Sequence, residues 1–170
     1  MADVLLDEIQ ALINAVREQL GIPADAGIDR FDTIVAVAEF AFREYARQPA
    51  FTSLGCTLTF ADIDRLSANF ASWLQHHTEL VPGDRIAIQM PNLVQYPVVV
   101  LGALRAGLVV VNTNPLYSAR EIEHQFNDAG VKALVVQANV AETVAAVLPA
   151  TPVKHVVVTE LADLHSPLKR

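Results

Sequence analysis

The hexapeptide Gly102-Ala103-Leu104-Arg105-Ala106-Gly107 has the glycine spacing of a phosphate loop, in which backbone N–H groups cradle phosphate oxygens. A working loop continues with Lys and Ser or Thr, yet Leu108 and Val109 follow here. The segment also closes a helix, whereas phosphate sites lie where a helix begins. Its glycines therefore read as helix packing and a helix stop. No G-x-G-x-x-G occurs, so a dinucleotide fingerprint is absent. His76-His77 offers two imidazoles, but neighbours on a helix point about 100° apart, and two ligands make a poor metal site. The pair reads as a solvated helix end.

Glu121-x-x-His124 is half of a bundle-type di-metal motif that needs a second copy and two further Glu. Glu121 is already explained as a helix-cap residue. His155 and His165 stand alone in sequence, and Ser53 and Ser67 have no His–Asp company for a triad. Cys56, in an expected hairpin, reads as inert packing rather than as a nucleophile. The turn Asn112-Thr113-Asn114-Pro115-Leu116-Tyr117 follows a strand at the position where open α/β sheets place ligand crevices. No charged group accompanies it, so strand termination by Pro115 and the two Asn is the simpler reading. No catalytic, cofactor-binding or metal-binding residue is assigned from the sequence.

The elements that would position such residues follow from periodicity. A first helix over residues 2–20 places Leu5, Ile9, Leu12, Val16 and Leu20 on one face and stops at Gly21. Residues 21–32 have the Gly, Pro and Asp density of a linker. A second helix starts at Asp32 or Thr33, runs to about Arg47 and buries Ile34, Ala38, Ala41 and Tyr45. Short strands at 50–53 and 56–59 flank Leu54-Gly55 as a hairpin. A third helix, 60–75, carries Phe60, Ile63, Leu66, Phe70, Trp73 and Leu74 on one stripe.

From Val81 the pattern becomes strand, helix, strand. Arg85–Met90 is an apolar strand, and the helix Gln95–Arg105 is apolar nearly all round, so both its faces need covering. Leu108–Val111 reads as a strand buried on both faces. Ser118 and Glu121 form a capping box for a helix that Gly130 ends, with Ile122, Phe126 and Ala129 inward. A strand at 133–136, a helix at 140–148 and a strand at 155–158 complete the alternation. Such spacing demands parallel pairing. The expected fold is therefore α/β, a doubly wound, mostly parallel sheet of at least four strands flanked by helices. The expected organisation is an N-terminal helix (1–20), a linker (21–32) and an α/β body (33–170).

Composition narrows the function classes. The 170 residues are 52% hydrophobic and 18% charged, which is globular and oily rather than disordered. A net charge of −7 argues against nucleic acid as partner. One cysteine suits a reducing cytoplasm, and the acidic start MADVLLDEIQ is not that of an export signal. Residues 86–104 are uncharged and long enough for a bilayer. They contain Gln89, Asn92, Gln95, Pro91 and Pro97, and the helix begins only after Pro91, so no span is expected.

Three stretches resemble adenylate-forming acyl-CoA ligases, in particular bacterial long-chain fatty acid–CoA ligases. Leu58-Thr59-Phe60-Ala61-Asp62-Ile63 is similar to the family's L-T-Y-x-E-L motif, with Phe60 and Asp62-Ile63 as departures. Gly83-Asp84-Arg85-Ile86-Ala87-Ile88, followed by Met90-Pro91-Asn92, is similar to its G-D-R-V-A-I…P-N strand and turn. Leu104-Arg105-Ala106-Gly107 running into Asn112-Thr113-Asn114-Pro115 resembles its L-x-A-G…P motif. The long-chain subset is suggested by residues 92–97 and 114–121. The resemblance spans residues 33–159 and leaves the first helix unexplained.

The resemblance implies a parent enzyme that joins ATP and a carboxylic acid into an acyl-adenylate, from which coenzyme A displaces AMP, with Mg²⁺ offsetting phosphate charge. The family's Ser/Thr/Gly-rich loop ending in Pro-Lys-Gly, its adenosine contacts and its catalytic Lys have no counterpart in residues 1–170. The expectation is an N-terminal portion that acts as scaffold, is inactive alone and binds no cofactor. Its partners would be the remainder of the ligase and, through it, fatty acid, ATP and coenzyme A. Self-association of the isolated chain is expected from its uncovered apolar layers. The parent would be cytoplasmic, with peripheral contact at the inner face of the plasma membrane. The competing expectations are a ligase for aryl or other acids and a non-catalytic α/β binding or oligomerisation module.

Overall fold

The computed structural model describes residues 2–22 and 30–165. They fall into two compact units, residues 1–36 and 37–170. In the first, helix α1 (Ala2–Gln19) ends at Gly21, whose φ of 65° lets the Ile22 N–H reach the Arg17 carbonyl. Most of the expected linker, residues 23–29, lies outside the described residues. Thr33 Oγ1 then accepts the Ala36 N–H at 3.0 Å and caps α2 (Ile34–Glu44). The expected inward face of α2 needs correcting. Ile34 and Tyr45 are exposed, and the residue that α2 buries is Phe42.

In the second unit, β1 (Pro49–Ser53) and β2 (Cys56–Thr59) form an antiparallel hairpin. Leu54 and Gly55 both have positive φ, 50° and 75°, as a two-residue turn between twisted strands requires. Thr59 and Asp62 form a reciprocal capping box for α3 (Phe60–His77). The inward face of α3 is Ile63, Ser67, Ala71 and Leu74. Trp73, expected on that face, is 38% exposed and stacks on Phe70 and His77 instead.

The four-stranded parallel sheet has the order β4-β3-β5-β6. Its strands are β3 (Arg85–Gln89), β4 (Val109–Asn112), β5 (Val131–Gln137) and β6 (His155–Thr159). Helices α4 (Gln95–Arg105), α5 (Ala119–Ala129) and α6 (Ala141–Val147) connect them in turn. Alternation sends Ile86, Ile88, Ala133 and Val135 to one face, where α3 and α4 pack. Ala87, Leu134 and Val136 point to the other, against α5 and α6. This is the doubly wound α/β arrangement that the strand–helix alternation implied. One strand differs: β4 was expected to be covered on both faces, but it is an edge strand and Val109 is 48% exposed.

Helix α4 is covered on two sides, as its composition requires. Val99 and Ala103 meet the sheet-side core, while Val94, just before the helix, and Val98 join Phe42, Leu58 and Ile63. At its crossing with α3 there is no room for a side chain at Gly102, whose Cβ would stand 2.7 Å from Phe70 Cδ1 and 2.9 Å from the Ser67 carbonyl. Arg105 ties the same crossing together. Its guanidinium donates to Asp64 O, Ser67 Oγ and Asp64 Oδ1 at 2.8, 2.9 and 2.6 Å. It also lies 5.1 Å over the Phe42 ring, so one side chain holds α2, α3 and α4.

Candidate functional site

The strand order fixes where a ligand crevice would form. From β3 the chain crosses by α4 to β4 on one side, then returns by α5 to β5 on the other. The connections diverge between β3 and β5, and the carboxyl ends of those two strands form the switch point of the sheet. Both strands end in glutamine. Gln89 is fully buried and Gln137 is 3% exposed. Around them lie Thr113 after β4, Thr159 at the end of β6 and Gln95 at the start of α4, all buried.

These side chains act as ties. Gln89 Nε2 donates to Asn114 O at 3.2 Å, and Gln125 Nε2, from α5, donates to Asn112 O at 3.1 Å. Gln95 Nε2 donates to Glu160 O at 2.7 Å and so joins the start of α4 to the turn after β6. Tyr96 Oη donates to Asn112 Oδ1 at 2.8 Å. The edge is thus lined by amides, hydroxyls and a phenol. Such groups can position a ligand or a loop, but they supply no acid–base pair, activated nucleophile or positive charge for phosphate. Among the described residues, no group of three His, Cys, Asp or Glu is placed to hold a metal ion. The lining therefore does not fit a magnesium-bound triphosphate.

The amino end of the sheet shows what the Gly83-Asp84-Arg85 motif does. Gly83, at φ 90°, makes the turn into β3. Asp84 accepts the Val81 N–H at 3.0 Å and pairs with Lys132 at 2.6 Å, across to β5. The Lys132 ammonium, and next the Val81 N–H, hold the Asp84 carboxyl below its ordinary 3.8. Arg85 Nε donates to Ala129 O at 2.8 Å, capping the last turn of α5. The motif is a structural clasp joining the start of β3 to α5 and β5.

The other sequence candidates are dispersed. Gly102 packs on α3, and Gly107, at φ 78°, ends the turn after α4. His76 Nδ1 lies 2.7 Å from Ser72 O on its own helix, and His77 stacks on Trp73. Glu121 accepts from Ser118 N and Oγ at 2.8 and 2.6 Å, the capping box read from sequence, while His124 is exposed. Ser53 Oγ donates to Asn92 O, Ser67 Oγ is held by Arg105, and Cys56 Sγ lies 3.4 Å from Leu164 O. His155, isolated in sequence, meets Glu79 at 2.8 Å across 76 positions. Sequence reasoning passed over Gln89 and Gln137. The available signal was two apolar strands, RIAIQ and VKALVVQ, each closing on the same polar residue.

Comparison with known proteins agrees with this architecture. A long-chain-fatty-acid–CoA ligase of Salmonella typhimurium is 45% identical over 148 residues, which are 87% of this chain and 26% of that enzyme. The chain thus spans about a quarter of the length of the curated relatives it matches. Among solved structures, a long-chain-fatty-acid-CoA ligase from Archaeoglobus fulgidus superposes with a TM-score of 0.68 at 24% identity, covering 74% of this chain and 27% of that one. A benzoate CoA ligase from Burkholderia xenovorans superposes at 0.70 with 22% identity, covering 76% and 26%. The family model described as AMP-binding enzyme matches residues 38–169, and the chain belongs to that family.

Proposed function

We propose that these residues form the N-terminal scaffold of an AMP-forming long-chain fatty acid–CoA ligase. The observation that carries the reading is the 45% identity to such a ligase over 87% of the chain. The chemistry of the crevice points the same way. The crevice end of the sheet carries neutral hydrogen-bonding groups, and the polar clusters elsewhere are clasps between elements. The chain's part is then to hold a rigid wall, while the residues that grip ATP and Mg²⁺, activate the carboxylate and admit coenzyme A come from the rest of the enzyme. In this reading the 170 residues alone are inactive, residues 1–20 and 21–32 are an appended helix and its linker, and residues 33–170 are the α/β body. The parent works in the cytoplasm and touches the inner face of the plasma membrane, where a long-chain acid partitions.

The fold does not choose the acid, because benzoate and long-chain ligases share it. The choice rests on sequence identity and is tested by activity. The whole polypeptide encoded with these residues is incubated with ATP, Mg²⁺, coenzyme A and either hexadecanoate or benzoate, and AMP and acyl-CoA are measured. AMP release coupled to hexadecanoyl-CoA is expected. Preference for benzoate, or release of AMP with neither acid, overturns the proposal. Among the described residues no helix is long and apolar enough to cross a membrane.

A further inference from the structure

Five buried side-chain atoms among the described residues have no hydrogen-bond partner: Gln89 Oε1, Gln95 Oε1, Thr113 Oγ1, Gln125 Oε1 and Gln137 Oε1. Each unpaired group of this kind carries a desolvation penalty, and native proteins hold few of them. Four of the five residues sit at a strand end, just past one, or at the start of the helix that follows, and Gln125 is bonded to one of those ends. Three of the five converge on a single turn. Gln89 is tied to Asn114 O, Gln125 is tied to Asn112 O, and Thr113 lies between, with its N–H on Ile88 O at 3.0 Å. Alternation along β3 and β4 turns Gln89 and Thr113 to the α5 face, the face from which Gln125 reaches the turn.

We infer that Gln89 Oε1, Gln125 Oε1 and Thr113 Oγ1 form a binding site for one internal water beneath the Asn112–Pro115 turn. Both amide nitrogens are engaged on backbone carbonyls, so each glutamine offers only an acceptor, and a hydroxyl can donate as well as accept. A water donates one hydrogen to each amide oxygen and accepts the threonine hydroxyl, making the three bonds usual for a buried water. A monovalent cation fits less well. The ring contains no carboxylate, and the amide N–H₂ groups place positive ends beside it. The water makes the turn at the crevice lip part of the core. It joins β3, β4 and α5 at the crevice end of that face.

The test uses the whole polypeptide and Thr113→Val, which changes shape little and removes a hydroxyl that has no other bond. With the water present, the substitution breaks a three-bond site and lowers Tm. With no water, it deletes an unsatisfied buried hydroxyl, and Tm holds or rises. A crystal structure of the unsubstituted protein should show a spherical peak within about 2.7–3.2 Å of all three oxygens. Thr113→Ser should keep the peak and Thr113→Val should lose or displace it. An unchanged or raised Tm with no such peak overturns the inference. Anomalous signal at the site after soaking with rubidium also overturns it, by assigning a cation.

Discussion

Replacing Gly102 with alanine tests the closest contact in the core. Alanine favours a helix over glycine by about 1 kcal/mol, so an unobstructed site would be stabilised by that amount. Here the new methyl would lie 2.7 Å from Phe70 Cδ1 and 2.9 Å from the Ser67 carbonyl oxygen. The ring can turn, at the cost of its stack on Trp73, whose centroid is 6.1 Å away. The carbonyl can move only with α3, which Arg105 holds through Asp64 and Ser67. Forcing a methylene-sized group into a packed site costs about 1–3 kcal/mol. Set against the propensity gain, the net destabilisation is roughly 0–2 kcal/mol, or up to a few degrees in Tm. Urea and thermal unfolding of Gly102→Ala measure it. The double substitution with Phe70→Ala separates ring from backbone, since coupling appears only if the ring is the obstacle. An alanine variant more stable than the parent by about 1 kcal/mol would refute the argument, because α3 and α4 would then have room that the geometry denies them.

Arg105→Ala should cost about 1–3 kcal/mol in denaturant unfolding, because the buried Ser67 hydroxyl then keeps only its bond to Asp64 O and a charge-assisted pair is lost. Arg105→Lys should restore only part of that, since one ammonium cannot reproduce the forked contacts. The carboxyls of Asp62, Asp84 and Glu121 all titrate below their ordinary values of 3.8, 3.8 and 4.5, held by Thr59, Lys132 and Ser118 respectively. Their stabilisation is complete above those values and is lost as pH falls through the lower folded values. Melting temperature should therefore drop below about pH 4.5, and Asp84→Asn should flatten that slope; an unchanged slope would refute the assignment. The isolated 170-residue chain should self-associate through its sheet edges, and Val158→Lys, on an edge residue 53% exposed, should shift it towards monomer in sedimentation. A monodisperse monomer of the unsubstituted 170-residue chain at high concentration would refute this.

The elements were readable wherever local chemistry decided them. Ser118 and Glu121 announced a capping box, Gly130 its stop at φ 62°, and Leu54-Gly55 a hairpin, and each depends on neighbours in sequence. Sidedness was less legible, because it depends on what packs against an element. Trp73 fits the apolar stripe of α3 by period, yet the face that packs inward is Ile63, Ser67, Ala71 and Leu74, and Trp73 lies outside it. The run Leu108–Val111 looks buried on both faces, but β-branched residues also suit an edge, and β4 is one. The candidate site was legible only as a place. Its residues, Gln89, Thr113, Gln125 and Gln137, are neutral and lack a spacing pattern, and the topology that gathers them is set by non-local pairing.

The sheet edges give the scaffold reading independent support. Natural edge strands are guarded by a lysine, a proline, a bulge or a covering element. Here β4 reads VVVN and β6 reads HVVVT, and neither contains a charge, a proline or a register shift. Val109, Val156 and Val158 are between 41% and 53% exposed on strands whose outer hydrogen-bonding groups face no strand among the described residues. The interior of the same sheet is finished to a different standard, with Ile86, Ala87, Ile88, Leu134, Val135 and Val136 all at 1% exposure or less. A sequence that packs its middle this closely and leaves both rims oily and unguarded is suited to a sheet that continues. The neutral crevice, the structural role of Gly83-Asp84-Arg85 and the bare rims all follow if the wall is built here and the chemistry is brought to it by the polypeptide that covers those rims.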